Sequence, residues 1–123
     1  MLGSVVEEIK AKGQVSSAHV ADVTVEDDVR RMIEKVVDTH GRLDVMVTNA
    51  GVTSYTPLLQ CMDPLTPPIF MHLFPLVGRN EWERIMKINA QGDFLCNKHA
   101  GMQMITRGKS EYRMISASSV AGK

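Results

Sequence analysis

The sequence predicts an α/β fold in which three parallel strands alternate with helices, and three observations support this. Short apolar runs rich in β-branched residues alternate with segments whose apolar residues recur at helical spacing. Each run ends in residues that favour turns: Asp22, then Asn49-Ala50-Gly51, then Ser118-Ser119. The segments between the runs are long enough for right-handed crossovers, which set successive strands pointing the same way.

From the amino terminus, Leu2 to Lys12 places Val5, Val6 and Ile9 at helical spacing and stops at Gly13, which readily takes the left-handed cap conformation. Val15 to Val23 reads as the first strand, with Asp22 at its carboxyl end. Thr24 is positioned to cap the next helix, with Asp27 three positions on approximating a capping box. Val25, Val29, Met32, Ile33, Val36 and Val37 then make one buried face that ends at Gly41. Leu43 to Val47 is short, apolar and flanked by Gly41 and Asn49-Ala50-Gly51, as a strand buried on both faces would be, and its turn opens at Thr48. Asn80 followed by Glu83 starts a long helix whose stripe of Trp82, Ile85, Met86, Ala90, Phe94, Leu95 and Met102 runs towards Thr106. Gly92 and Gly101 inside it each cost about 1 kcal/mol relative to alanine, so a close packing contact or a kink must compensate. Tyr112 to Ser118 is the third strand and runs into Ser119.

At 123 residues the chain is long enough for one domain, and a chain of this size buries roughly two-thirds of its unfolded surface. Residues 57–79 break the alternation. All five prolines fall in or beside this stretch, and unstructured connections longer than about 12–15 residues are uncommon in compact domains. The proline-rich insertion or loop is therefore functional, disordered or an artefact of the coding sequence. Its apolar run Ile69 to Phe74 is much too short to cross a bilayer.

Fourteen basic residues balance fourteen acidic ones. No net field draws the chain to nucleic acid or an anionic membrane, and small neutral partners fit better. Cys61 and Cys96 have no CxxC or metal-type spacing, and His19, His40, His72 and His99 form no HxxxH or Cys/His grouping. No basic-then-apolar signal segment opens the chain, so the sequence predicts a cytoplasmic protein with no metal site.

In an open α/β sheet, ligands bind outside the carboxyl ends of the strands, where helix amino termini and loop amides converge. Asp22 and Val23, then Asn49, Ala50 and Gly51, then Ser118 and Ser119 fall at those ends, and Asn89 lies in the long helix between the last two. Each has an ordinary reading on its own. Asp-Val-Thr serves as a helix entry turn, Asn-Ala-Gly as a strand-ending turn, the serine pair as a solvated turn and Asn89 as helix surface. Their joint order at strand ends points to a binding rim.

Ala21-Asp22-Val23-Thr24, Leu43 through Gly51, Ile88-Asn89-Ala90-Gln91-Gly92-Asp93-Phe94 and Ile115 through Gly122 resemble four successive signatures of the short-chain dehydrogenase/reductase family, in the family's order. The resemblance covers nearly the whole chain outside the proline-rich stretch. It implies a partial Rossmann-type doubly wound parallel sheet, binding of NAD or NADP, and hydride transfer to or from a small carbonyl or secondary alcohol. Within the family, Gly92 to Met104 and Ala117 to Lys123 look most like acetoin/diacetyl reductase-type members. Asp22 and Val23 match positions at the adenine ring, and Asn49, Ala50 and Gly51 match the turn that admits the cofactor's ribose. Ser119 matches the serine that hydrogen-bonds the substrate carbonyl, and Asn89 matches the asparagine that orders a water for proton relay. Thr48 departs from the pattern, since asparagine is commoner there. Full-length relatives are expected to form homo-oligomers.

Two family parts have no match within residues 1–123. None of the nine glycines makes GxxxGxG or GxGxxG. The paired tyrosine and lysine four residues apart are also missing, because Tyr55 and Tyr112 are followed at that spacing by Leu59 and Ser116. A positioned general acid contributes typically about 10²–10⁴ in rate, so these residues alone are predicted to be inactive. In the doubly wound order 3-2-1-4-5-6 the strands present would be the third, fourth and fifth. Two intervening strands correspond to a gap of roughly 14 Å. Either the first strand closes that gap, or only the last two hold native register. A second reading is a non-catalytic truncated product or an interaction fragment using the helix from Glu81 to Arg107. A flavodoxin-like or receiver module is a third, but the acidic cluster it wants at the end of its first strand is not seen.

Overall fold

The computed structural model describes residues 2–53, 79–106, 108 and 111–119. The proline-rich stretch at 57–79 lies outside the described residues except for Arg79. The elements in chain order are α1 (Leu2–Ala11), α2 (Glu26–His40), β1 (Val45–Thr48), α3 (Arg79–Met86), a π-helical turn (Lys87–Gly92), α4 (Asp93–Ile105) and β2 (Arg113–Ser116).

Local signals decide the helices. In α2, Glu26, Asp27 and Asp28 occupy the first turn and favour the positive end of the helix dipole. Gly41 takes φ +81° and donates its N–H to the Val37 carbonyl at 2.7 Å, closing the last turn. The start of α2 differs from the expected capping box. Val25 is the cap residue and makes no side-chain cap bond. The Thr24 N–H and hydroxyl both donate to Asp22 Oδ1 at 2.8 Å, so an Asx turn takes the hydroxyl that would have capped the helix.

The long helix runs from Arg79 to Ile105 with a π turn at Lys87–Gly92, and both expected compensations for its glycines are present. A Cβ on Gly92 would lie 2.8 Å from Val23 Cγ2, and one on Gly101 would lie 3.0 Å from Met114 Cε. The helix also starts one residue early, leaving Asn80 inside its first turn.

β1 and β2 pair in parallel, with Val45 opposite Arg113 and Thr48 opposite Ser116. The pairing runs on at both ends, through Arg113 N–H to the Asp44 carbonyl at 3.0 Å and Ala117 N–H to the Thr48 carbonyl at 2.8 Å. The parallel α/β order is thus as predicted, but two details are corrected. Among the described residues the sheet has two strands, and Val15 to Val23 joins no ladder. Val15 and Val20 are 83% and 92% exposed. A strand is a property of a pair, and no described segment lies beside this one to accept its backbone bonds. Of the two expected arrangements, the one in which only the last two strands pair is seen among the described residues.

The second correction concerns β1, which is covered on one face instead of both. Met46 and Thr48 point inward, while Val45 and Val47 are 47% and 55% exposed. The inward face meets the core, where Val29 and Ile33 of α2 pack with Leu95, Cys96, Ala100 and Met104 of α4. Fully burying such a side chain stabilises the fold by about 1.5–3 kcal/mol. No helix among the described residues is long and apolar enough to cross a membrane.

Candidate functional site

Because β1 and β2 run in parallel with Thr48 opposite Ser116, their outgoing turns leave from the same end of the sheet. Asn49, Ala50 and Gly51 follow β1, and Ala117, Ser118 and Ser119 follow β2; all are exposed. A cleft of 330 Å³ opens beside them, between α2, β1 and the start of α4. Its deep wall is apolar, built from Met32, Ile33, Val36, Leu43 and Met46, and its polar edge carries Thr48, Asn49 and Asp93. Val23, Ala50 and Gly92 line the same space, whereas Ser119 does not. Cys96 also faces the cleft, and burial pushes its thiol pKa up, which keeps it a neutral packing group.

The π turn gathers the pieces of the rim. Asn89, inside that turn, accepts from the Val52 N–H through Oδ1 and donates to the Val52 carbonyl through Nδ2, both at 2.8 Å. This two-pronged clamp ties the helix to the chain just after Gly51. A Cβ on Gly51 would meet Asn89 Oδ1 at 3.5 Å, an ordinary contact. At the far side of the turn, Gly92 lets Val23 pack against the helix backbone. Asp22 therefore stands near the rim without belonging to a strand. Its carboxyl is held below the usual range, chiefly by the Thr24 N–H and hydroxyl and also by the charge of Lys87.

A polar cluster that the sequence reading did not anticipate braces the strand ends. The Thr48 hydroxyl donates to Asp93 Oδ1. Asn97 Nδ2 donates to Asp93 Oδ2 and to Ser116 Oγ, both at 3.1 Å, and Ser116 Oγ lies 3.0 Å from Thr48 Oγ1. The ring joins β1, β2 and α4 just below Asn49 and Ser119. The Thr48 hydroxyl, then Ser116 and Asn97, hold the Asp93 carboxyl below its ordinary value, and burial opposes them. The Asn97 Oδ1 atom is buried with no hydrogen-bond partner among the described residues. One sequence signal could have found the ring: Asp93 and Asn97 are a polar i, i+4 pair on one side of α4. Thr48 was visible as the opening of a turn and as a departure from asparagine, and neither reading gave it a partner.

The sequence profile of the short chain dehydrogenase family matches residues 2–123. The chain belongs to the short-chain dehydrogenase/reductase family. This short-chain dehydrogenase/reductase chain is 39% identical over 122 residues to a family member from Armillaria gallica, covering 99% of the chain and 40% of that relative. It is 36% identical over 119 residues to the 3-oxoacyl-[acyl-carrier-protein] reductase FabG of Staphylococcus aureus, covering 97% of the chain and 41% of the relative. Among solved structures, a metagenomic short-chain oxidoreductase in complex with NADP superimposes with a TM-score of 0.74 at 28% identity, over 99% of this chain and 48% of that one. The chain thus spans about 40% of the length of the curated relatives it matches.

Proposed function

We propose that this chain is part of an NAD(P)-dependent oxidoreductase that transfers hydride between a nicotinamide cofactor and a small carbonyl or secondary alcohol. The observation that carries the reading is the shared exit of two parallel strands, with Asn49, Ala50 and Gly51 on one turn, Ser119 on the other, and Asn89 of a helical bend clamped to Val52 just after the first turn. π turns of this kind occur frequently at functional sites. The metagenomic relative solved with NADP and the reductase name of the staphylococcal relative support the same reading.

The residues present fit the adenosine end of such a cofactor. Asp22 is an exposed carboxylate that would accept from the exocyclic amine, beside Val23 as an apolar wall, and the exposed Asn49-Ala50-Gly51 turn leaves backbone open to a ribose. They do not include a glycine-rich loop for the pyrophosphate. When bound, the nicotinamide supplies or receives the hydride. Ser119 would donate its hydroxyl to the substrate oxygen, stabilising negative charge there, and Asn89 would orient a proton-carrying water through the helix bend.

With no phosphate loop and no Tyr-x-x-x-Lys pair, residues 1–123 by themselves are expected to be inactive. Titration of NADH and NADPH against the intrinsic fluorescence of Trp82 tests this, and saturable micromolar binding would refute it. In a chain that also carries the loop and the pair, Ser119→Ala should lower turnover by about 10²–10³. An undiminished rate would remove Ser119 from the mechanism.

A specific observation also favours the non-catalytic reading. The outward side of the α3 to α4 helix exposes Phe94 by 61% and Ile105 by 77%, together with Trp82 and Met102. Apolar side chains gathered on one helix suit contact with another chain. Sedimentation of residues 1–123 with and without Phe94→Glu would separate a helix-mediated dimer from a monomer.

A further inference from the structure

We propose that Ser17, His19 and His40 form a binding site for a divalent transition-metal ion of the zinc and nickel class, one that ties the unladdered segment after Gly13 to the carboxyl end of α2. Ser17 Oγ lies 3.2 Å from His19 Nε2 and 3.0 Å from His40 Nε2. Two imidazoles from separate parts of the chain thus present the same ring nitrogen to one point. A serine hydroxyl has a single proton, so it satisfies only one of those nitrogens as an acceptor, and the other must carry a proton of its own. An ion at that point takes both lone pairs at once. Zinc binds imidazole nitrogen at about 2.0–2.1 Å, and imidazole also suits nickel and copper. Reaching that distance requires the two rings, His19 half-buried and His40 exposed, to turn towards the ion.

Two further features favour a cation here. His40 ends α2, where the last carbonyls of the helix carry partial negative charge. The residue before Ser17 is anchored, because Ser16 Oγ donates to the Val6 carbonyl of α1 at 3.1 Å. Two nitrogens and a hydroxyl leave coordination positions for water, so the ion exchanges with solvent. The spacing from 19 to 40 hides the pair in the sequence, since nearly all of α2 separates His19 from His40 at its end. The proposal is independent of the cofactor reading.

The test is titration of Ni²⁺ and of Zn²⁺ into untagged residues 1–123 at neutral pH by calorimetry, with the thermal midpoint followed in parallel. The expected result is one ion per chain and a higher midpoint with metal. His19→Ala and His40→Ala should each weaken binding by about tenfold or more, whereas His99→Ala, whose ring is paired with Glu26 at 2.9 Å, should leave it unchanged. Ser17→Ala should weaken binding less than either histidine variant, because a neutral hydroxyl is the weakest of the three donors. Paramagnetic broadening by Ni²⁺ in the wild-type chain reads the same site without any variant: the His19 and His40 imidazole signals should fade before those of His72 and His99. Absence of saturable binding, binding that survives in the His19→Ala/His40→Ala double variant, or first broadening at His72 or His99 would each overturn the proposal.

Discussion

Two extended segments of similar apolar character have different fates. Val45–Thr48 lies in a ladder with β2, backs onto the α2–α4 core and is braced at its end by the Thr48, Asp93, Asn97 and Ser116 ring. Val15 to Val23 holds three valines in nine residues and forms no ladder among the described residues. Intrinsic β preference is therefore insufficient. What separates the two is a neighbour that accepts backbone hydrogen bonds and a helix layer that covers one face.

The sharpest way to break that contrast is to truncate one side chain from each region. Met104, 2% exposed in the core, should cost about 2–5 kcal/mol as Met104→Ala. Val20→Ala, at a position 92% exposed, should stay within about 0.5 kcal/mol. Urea denaturation measures both, and equal shifts in midpoint would mean that the two segments are packed alike.

Overpacking the junction between the regions should have an intermediate effect. Gly92→Ala drives a Cβ to 2.8 Å from Val23 Cγ2, and strain of this kind costs typically about 1–3 kcal/mol. Gly51→Ala, whose Cβ meets only Asn89 Oδ1 at 3.5 Å, should be far milder. Thermal midpoints that rank these two substitutions the other way would contradict the close approach of Val23 to the π turn.

Asp93→Ala removes the acceptor shared by Thr48 and Asn97, and a buried donor left unsatisfied costs about 1–3 kcal/mol. The carboxyl of Asp93 is depressed in the folded chain. The stability it contributes is therefore present above its unfolded pKa and is lost as pH falls through the lower folded value. Acid titration of unfolding free energy should fall less steeply for Asp93→Asn than for the wild type. Identical acid limbs would show that the ring does not depend on the charge.

The smallest expected effect needs no substitution. The Arg113 and Ala117 amides, which donate to the Asp44 and Thr48 carbonyls, should exchange more slowly with deuterium than the amides of Ser17 through Val20. Equal protection would put the first apolar segment back into a sheet.

Much of the fold could be read locally. The stripe of Val29, Ile33 and Val37 with Gly41 behind it specified α2 almost to the residue, because periodicity and a left-handed cap depend only on near neighbours. Gly92 and Gly101 announced close packing, and both have it. The turns after β1 and β2 were legible as polar groups at strand ends, and the parallel register sends both from one end of the sheet. The entry to α2 was misread because Asp22 competed successfully for the Thr24 hydroxyl.

By itself the sequence determined where helices run, where strands could end and which family the turn motifs resemble, since those properties reside in residues a few positions apart. Tertiary structure alone decided which valine-rich run became a strand, which face of β1 was covered, and how Thr48, Asp93, Asn97 and Ser116 met across 68 positions of chain. The physical reason is that ladders and polar rings need partners distant in sequence, and no local pattern states whether a partner will be there.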